Sequence, residues 1–524
     1  MTDTDEIYQI HLWSDVMLFL SFLIAVLPIL WLVIALSLLK MPGHKACLIA
    51  MLLTMVLGLL YWKLPLLNVA SAALEGILNA LWPICLVIIA ALFTYNLTLH
   101  TGAMEAIKGM LAGVSSDKRV LALLIGWGFG NFMEGMAGFG TAVAIPASIL
   151  CAIGLDPFAA VIGCLVVNST PTAFGSVGVP TVTLSAITGC EVLGLSADIT
   201  VLQMLLTFLS PFFLVLICGG GLRALKGMLS FTFISSISFI LPWYLSAKAL
   251  GPELPDMIGA VCSMACMILG IRFLLKKEDP SYAIVQKKSE ISAMNPFRAW
   301  SSFILIFVLL MGTSKLCPPI NQMISGIKTS ISVYNGENPA VLTFSWINTP
   351  GVIIFIAGII GGLIQGAKPG EILKVLMTTL KRYYKTIITI CSVMATAKIM
   401  GYAGMISAIA AFLVAVTGSL YPLSAPLIGA VGGFVTGSGT STCVLFGGLQ
   451  SQTAISLGLD PSWLAAANVC GAGIGKMISP QGIAIGTGAI GCVGEESKIL
   501  RSVFKYFVLY VLVAGIICFV GTLL

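Results

Sequence analysis

Charge is what this chain has least of. Of its 524 residues, 9% are Asp, Glu, Lys or Arg, and only three are His. A soluble domain carries about a quarter charged residues, so a large water-facing fold is excluded. Three histidines and no His-Glu-x-x-His or Ser/His/Asp arrangement leave no recognisable catalytic cluster, and no enzyme activity is expected. No Walker loop is present, so ATP is not expected to drive the protein directly. The fourteen Cys include no Cys-x-x-Cys pair and no Cys/His cluster; Cys47, Cys85, Cys164 and Cys218 lie in apolar runs. They read as small apolar filler, and neither a metal, a disulfide nor a cofactor is expected. The formal charge of +6 comes mostly from loop Lys and Arg. That pattern signals membrane topology rather than binding to nucleic acid.

What the chain has in excess is hydrophobic residues, at 58%. Span-length apolar runs recur, for example over 16–39, 257–275 and 503–523. The N-terminus carries Asp3, Asp5, Glu6 and Asp15 where a cleavable signal would be basic, so the first run reads as a retained transmembrane helix. The expected fold is an all-α polytopic membrane protein with about twelve to fourteen transmembrane helices. Basic residues cluster at 40–45, 108–119, 223–226, 276–298, 368–385 and 498–505 and should face the cytoplasm. The N-terminus and the loops at 191–198, 253–256 and 335–339, poor in basic residues, should face outward.

Two matching Gly/Ser/Thr-rich segments interrupt this apolar background. The first runs from Gly126 through Glu134, Gly138 and Gly140 to Thr141; the second runs from Gly432 through Thr436 and Ser438 to Thr442. Each is followed by Gly-Leu-Asp-Pro (154–157 and 458–461) and then by a second small-residue stretch, containing Asn168, Thr170 and Thr172 in one half and Lys476 and Gln481 in the other. The preceding segments 79–111 and 381–413 also match, and their flanking charges are opposite in sense. The organisation expected is therefore N-terminal helices over 1–63, a first repeat over 64–222, connecting helices over 223–365 and a second, inverted repeat over 366–524. The connecting helices could serve as a scaffold or a homodimer surface.

Glycine-rich backbone at bilayer depth is tolerated only where it is buried in protein or lines a wet cavity. Matched interruptions in two halves point to a carrier's binding site. Each interruption reads as a helix broken at its middle, whose half-helix N-terminus favours an anion. Glu134 is an ionisable group in an apolar segment, as a reversible proton site would be. Lys476 could counter a substrate carboxylate or pair with Glu134. Lys398 is a second cation in an apolar stretch, either functional or marking a helix end.

These motifs carry a resemblance. Glu134-Gly-Met-Ala-Gly-Phe-Gly-Thr141-Ala-Val-Ala-Ile, Thr436-Gly-Ser-Gly-Thr-Ser-Thr-Cys443 and Gly475-Lys-Met-Ile-Ser-Pro-Gln481 resemble strings of the lactate permease family, bacterial proton symporters of L-lactate, D-lactate and glycolate. Trp82-Pro83 is similar as well. The resemblance implies inverted repeats with re-entrant hairpins in a multi-pass protein of the inner (plasma) membrane. It departs at Gly439, where the family has Asp, at Cys443 for Asn and at Ala142 for Pro.

The expected function is symport of lactate, or a similar 2-hydroxy monocarboxylate such as glycolate, with a proton. Substrate-binding residues are expected to be Gly138, Gly140, Thr141, Asn168, Thr170, Thr172, Thr436, Ser438, Thr440, Ser441, Lys476 and Gln481, with Glu134 taking the proton. The alternative is proton-independent carriage or exchange of another small organic anion, because the Asp is missing.

Overall fold

A computed structural model describes residues 3–35, 39, 41–138, 140–274, 279–283, 294–314, 317–337, 339, 341–492 and 495–523, with the backbone alone over 3–17 and at Pro83. Among the described residues the regular structure is helical, apart from an antiparallel hairpin in which Lys328–Ser332 pairs with Val341–Ser345 and a single bridge between Asp117 and Ala283. Among the described residues, eight helices are long and apolar enough to cross a membrane, or nine if a bent pair counts as one span. Three further apolar helices are shorter. The expected twelve to fourteen crossings would need these shorter and broken helices to cross too.

Large apolar side chains cover the outside as well as the core. Leu20, Leu23, Leu27 and Leu30 of the first helix are exposed, as are Leu241, Leu269, Phe273, Leu512 and Ile516. A soluble monomer does not show so much contiguous apolar surface; a bilayer covers it. Inside that belt the backbone must satisfy its own polar groups, which helices do.

Local chemistry explains where helices start and stop. Gly-Leu-Asp-Pro is punctuation. Gly154 (φ 100°) and Gly458 (φ 68°) turn the chain in the left-handed region, and Asp156 and Asp460 accept from the amides of Ala159 and Ser462. Pro157 and Pro461 then open the helices Pro157–Val167 and Pro461–Lys476. Pro83 acts differently. It follows Trp82, which is extended (φ −132°, ψ 116°) inside an otherwise helical run from Leu66 to His100, as steric conflict with a proline ring requires.

Much of the glycine in the second half is packing. A Cβ on Gly429, Gly433, Gly471 or Gly475 would strike the backbone carbonyl of Asn468, Ala472, Pro426 or Ala430, respectively. The helices Tyr421–Thr436 and Pro461–Lys476 therefore touch backbone to backbone through two small-x-x-x-small pairs. The helices Leu66–Asn79 and Pro369–Tyr402 also meet. Gly76 of Leu66–Asn79 lies against the backbone of Ala395, on Pro369–Tyr402. There Lys398 Nζ sits 2.8 Å from Glu75 Oε1, and the Tyr402 hydroxyl donates to both Glu75 oxygens at 3.1 and 3.0 Å. The hairpin loop closes over this pair: the rings of Tyr334 and Tyr402 stack at 3.6 Å.

Candidate functional site

Four helix interruptions, two in each half, come together around one cavity. In the first, Gly130–Met136 ends and Thr141–Ala152 begins, with Gly138 (φ 55°) and Gly140 (φ 84°) turning the chain. A side chain at either position would meet Ser176 or Ile485, so glycine is required both for conformation and for space. In the second, Pro157–Val167 gives way to Asn168–Thr170, a short 3₁₀ turn and the helix Gly175–Thr188, with a 64° bend. Ser176, Val177 and Gly178 all take positive φ there. For a β-branched residue such as Val177 this is a strained backbone, of the kind that persists only when its surroundings enforce it.

The third interruption separates Tyr421–Thr436 from Gly439–Leu457. Gly437 turns the chain (φ 63°), and the Ser438 hydroxyl caps the new helix by accepting from the Ser441 amide at 3.2 Å. The Thr436 hydroxyl accepts from the Ser438 amide at 3.1 Å. In the fourth, Pro461–Lys476 ends before Pro480–Ala489, which Ser479 caps by accepting from the Gly482 amide at 3.0 Å.

Glu134 and Lys476 meet at the centre. Glu134, 2% exposed, sits in the last turn before the first break, and Lys476 ends the helix before the fourth. Lys476 Nζ lies 2.7 Å from Glu134 Oε1. Asn168 Nδ2 donates to Glu134 Oε2 at 3.0 Å, and Lys476 Nζ approaches the Thr172 hydroxyl at 3.5 Å. The pair thus joins the two halves and is held by Asn168 and Thr172 of the second break. Of the alternatives open for Lys476 from sequence, the geometry realises the pairing with Glu134.

A cavity of about 760 Å³ adjoins this pair. Gly138, Gly140, Asn168, Thr172, Thr436, Ser438, Thr440, Ser441, Lys476 and Gln481 line it, together with Glu134. Thr141 and Thr170 do not. The Thr141 hydroxyl donates to Gly138 O at 2.7 Å, closing the break, and Thr170 is buried behind the wall. Gly439 lines the cavity too, and a Cβ there would sit 2.8 Å from Thr172 Cγ2, so an Asp at this position would crowd Thr172. Lys398 does not reach the cavity, because it is committed to Glu75.

The far wall comes from helices without glycine motifs. Gly43, His44 and Cys47 of Gly43–Leu60, and Lys385, Thr386 and Thr389 of Pro369–Tyr402, face the four breaks. His44 and Lys385 belong to the basic segments 40–45 and 368–385, so the cavity extends toward the face that positive charge marks as cytoplasmic. Nothing in the local sequence marked these wall residues. Glu75 could have been found by the reasoning that found Glu134, as an acidic residue inside an apolar run. Asp256, 1% exposed beside Gly135, was read as part of a loop, and its only signal was an acid opening an apolar helix.

Three features together suit a small anion: a half-buried lysine, clustered hydroxyls and helix starts at Gly439 and Pro480 facing one space. Comparison with known proteins agrees in class. The sequence matches the L-lactate permease family over residues 21–524. It is 42% identical to an L-lactate permease of Streptococcus iniae, over 85% of this chain and 93% of that protein. It is 34% identical to a glycolate permease of Escherichia coli (strain K12), over 95% of each chain. It is 32% identical to an L-lactate permease of Bacillus subtilis (strain 168), over 96% of each. A family match across nearly the whole chain, on a fold with several membrane-spanning helices, makes this a multi-pass membrane protein and a transporter rather than an enzyme. The chain belongs to the L-lactate permease family.

Proposed function

We propose that the protein carries lactate, or a close 2-hydroxy monocarboxylate such as glycolate, across the inner membrane together with a proton. The observation that supports this most is the Glu134–Lys476 pair, formed between the two halves at the wall of the cavity. The empty site is neutral, one carboxylate against one ammonium. A substrate carboxylate that takes Lys476 leaves Glu134 ionised and buried without its cation. A buried charge in a membrane costs about 2.5–3.5 kcal/mol on insertion scales, and a proton on Glu134 removes that cost. The loaded site then holds neutral Glu134, Lys476 ammonium and substrate anion, and is neutral again. Only the empty and the doubly loaded forms cross without excess charge, and that is the physical content of symport.

In this reading Ser438, Thr440 and Ser441 donate to the substrate from one half and Asn168 from the other, while Thr436 and Thr172, whose hydroxyls donate to the Gly432 and Asn168 carbonyls, shape the wall. Gly138 and Gly140 let the backbone approach, and Gln481 fixes orientation. Residues 64–222 and 366–524 act as inverted halves, and the cavity's extension to His44 and Lys385 corresponds to an inward-facing form. The names of the relatives, L-lactate and glycolate permeases, support the substrate class. Gly439 favours one rival, proton-independent exchange of a small anion, since it removes a carboxylate from the motif. Uptake of labelled L-lactate and glycolate into proteoliposomes separates the two. The symporter accumulates substrate uphill only with an inward proton gradient, whereas an exchanger ignores the gradient and requires anion inside.

A further inference from the structure

A second buried carboxyl lies against the helix that carries Glu134. Asp256 opens the helix Pro255–Leu274, outside both matching segments. It is 1% exposed, and its Cβ lies 2.8 Å from where a side chain on Gly135 would begin. Asp256 Oδ1 accepts from Trp243 Nε1 at 2.9 Å, while Oδ2 has no hydrogen-bond partner among the described residues. The elements packed against Pro255–Leu274 are Gly130–Met136, which carries Glu134, Leu229–Leu250, which offers the neutral Trp243 and has its Lys248 exposed, and the segments 122–129 and 171–174, which hold no titratable group. On the other side the chain runs through the buried residues Gly251, Pro252 and Leu254, with Glu253 half-buried among them. Pro252 packs against Gly178 of the left-handed stretch at the second break. The loop is thus tucked into the motif-bearing helices, on the face opposite the basic segments.

Burying a carboxylate with an oxygen left unpartnered is expensive, and a proton relieves it. We infer that Asp256 is a second proton-carrying carboxyl, which relays protons between the outer face and Glu134. This rests on the proton-symport reading above. When Lys476 turns to the substrate, Asp256 hands its proton to the Glu134 carboxylate and becomes ionised itself. It recovers a proton from the outer face, past Glu253. One proton enters Asp256 for each that leaves it, so Asp256 ends as it began and Glu134 ends neutral, with one proton taken from the outer face. Asp256 would thereby supply, from a connecting helix, the second carboxyl that Gly439 withholds from the motif. The connecting helices then take part in coupling as well as in support.

The test uses the full chain in proteoliposomes with an entrapped pH-sensitive dye and labelled L-lactate, following accumulation, lactate-linked proton influx and counterflow at equal pH. Counterflow can proceed with the proton kept on Glu134, so Asp256→Asn is expected to retain it. The same variant is expected to lose uphill accumulation, down to the level seen without a gradient. Asp256→Asn that accumulates lactate at the wild-type rate and pH profile overturns the relay. If counterflow is lost too, Asp256→Glu decides: regained accumulation with a displaced pH profile supports the relay, and regained accumulation on the wild-type profile overturns it. Trp243→Phe leaves Asp256 in place but removes its donor, and is expected to move the pH profile of accumulation upward; an unmoved profile counts against the inference. Wild-type protein that moves lactate without protons overturns the symport reading itself, before any variant is compared.

Discussion

Glu134→Gln removes one charge from the centre of the site and nearly nothing of its shape. In the wild-type protein the Glu134 carboxylate lies 2.7 Å from Lys476 Nζ, and the side chain is 2% exposed. With Gln at 134 the loaded site is still neutral, because the substrate anion offsets Lys476. The empty site is not, because the ammonium has lost its partner. Returning that charge across the membrane costs about 2.5–3.5 kcal/mol, which slows the empty carrier's return by roughly 70- to 370-fold at 1.36 kcal/mol per decade. Counterflow, which cycles only the loaded form, is expected to persist. Net uptake driven by a proton gradient is expected to vanish. Both are read in one preparation: labelled L-lactate into vesicles preloaded with unlabelled lactate, and into empty vesicles with an acidic exterior. Gradient-driven accumulation by Glu134→Gln would refute the argument. Equal loss of both activities, with thermal stability intact, would also refute it, because it would place Glu134 in binding rather than coupling.

Gly439→Asp restores the family residue at the cavity wall, where it crowds Thr172. With a Cβ 2.8 Å from Thr172 Cγ2, the variant is expected to lower lactate uptake, and Gly439→Asp with Thr172→Ser to recover it. Glu75→Gln leaves the Lys398 ammonium in a buried site without its counter-ion; the expected loss is about 3–5 kcal/mol of stability, seen as a lower thermal midpoint. The substrate affinity of the folded fraction should not change, because Glu75 and Lys398 lie outside the cavity. Adding Lys398→Met should recover most of the midpoint. Gly471→Ala drives a methyl into the Pro426 carbonyl and is expected to abolish the folded yield, whereas Gly488→Ala, with open space at its Cβ position, should leave it unchanged.

The sequence carried the centre of the site better than its surroundings. A lone acid in an apolar glycine segment and a lone lysine in the second small-residue stretch of the other half were legible because charge at bilayer depth needs a reason, and the structure puts them in contact. The breaks were legible because Gly, Ser and Pro cannot continue a helix without loss. Other repeats of the same residue types had other causes. Gly-Leu-Asp-Pro is repeated because both halves turn a helix in the same way, and Gly429, Gly433, Gly471 and Gly475 admit a neighbouring backbone. The hydroxyls of Thr141 and Thr172 turn to backbone carbonyls, a choice fixed by local geometry that composition does not show. The wall formed by Gly43–Leu60 and Pro369–Tyr402 could not be read, because ordinary helical residues line a cavity only once tertiary packing has placed them. Asp256 was hidden for a related reason: a loop acid and a buried acid look alike until the loop is seen folded inward.

The measurement that bears most directly on the central claim is proton influx linked to lactate. Wild-type proteoliposomes start at equal pH on both sides, with an entrapped dye, and L-lactate is added outside. The interior is expected to acidify as lactate enters, one proton per lactate, and the same signal is expected with glycolate. Lactate influx with an unchanged interior pH would contradict it.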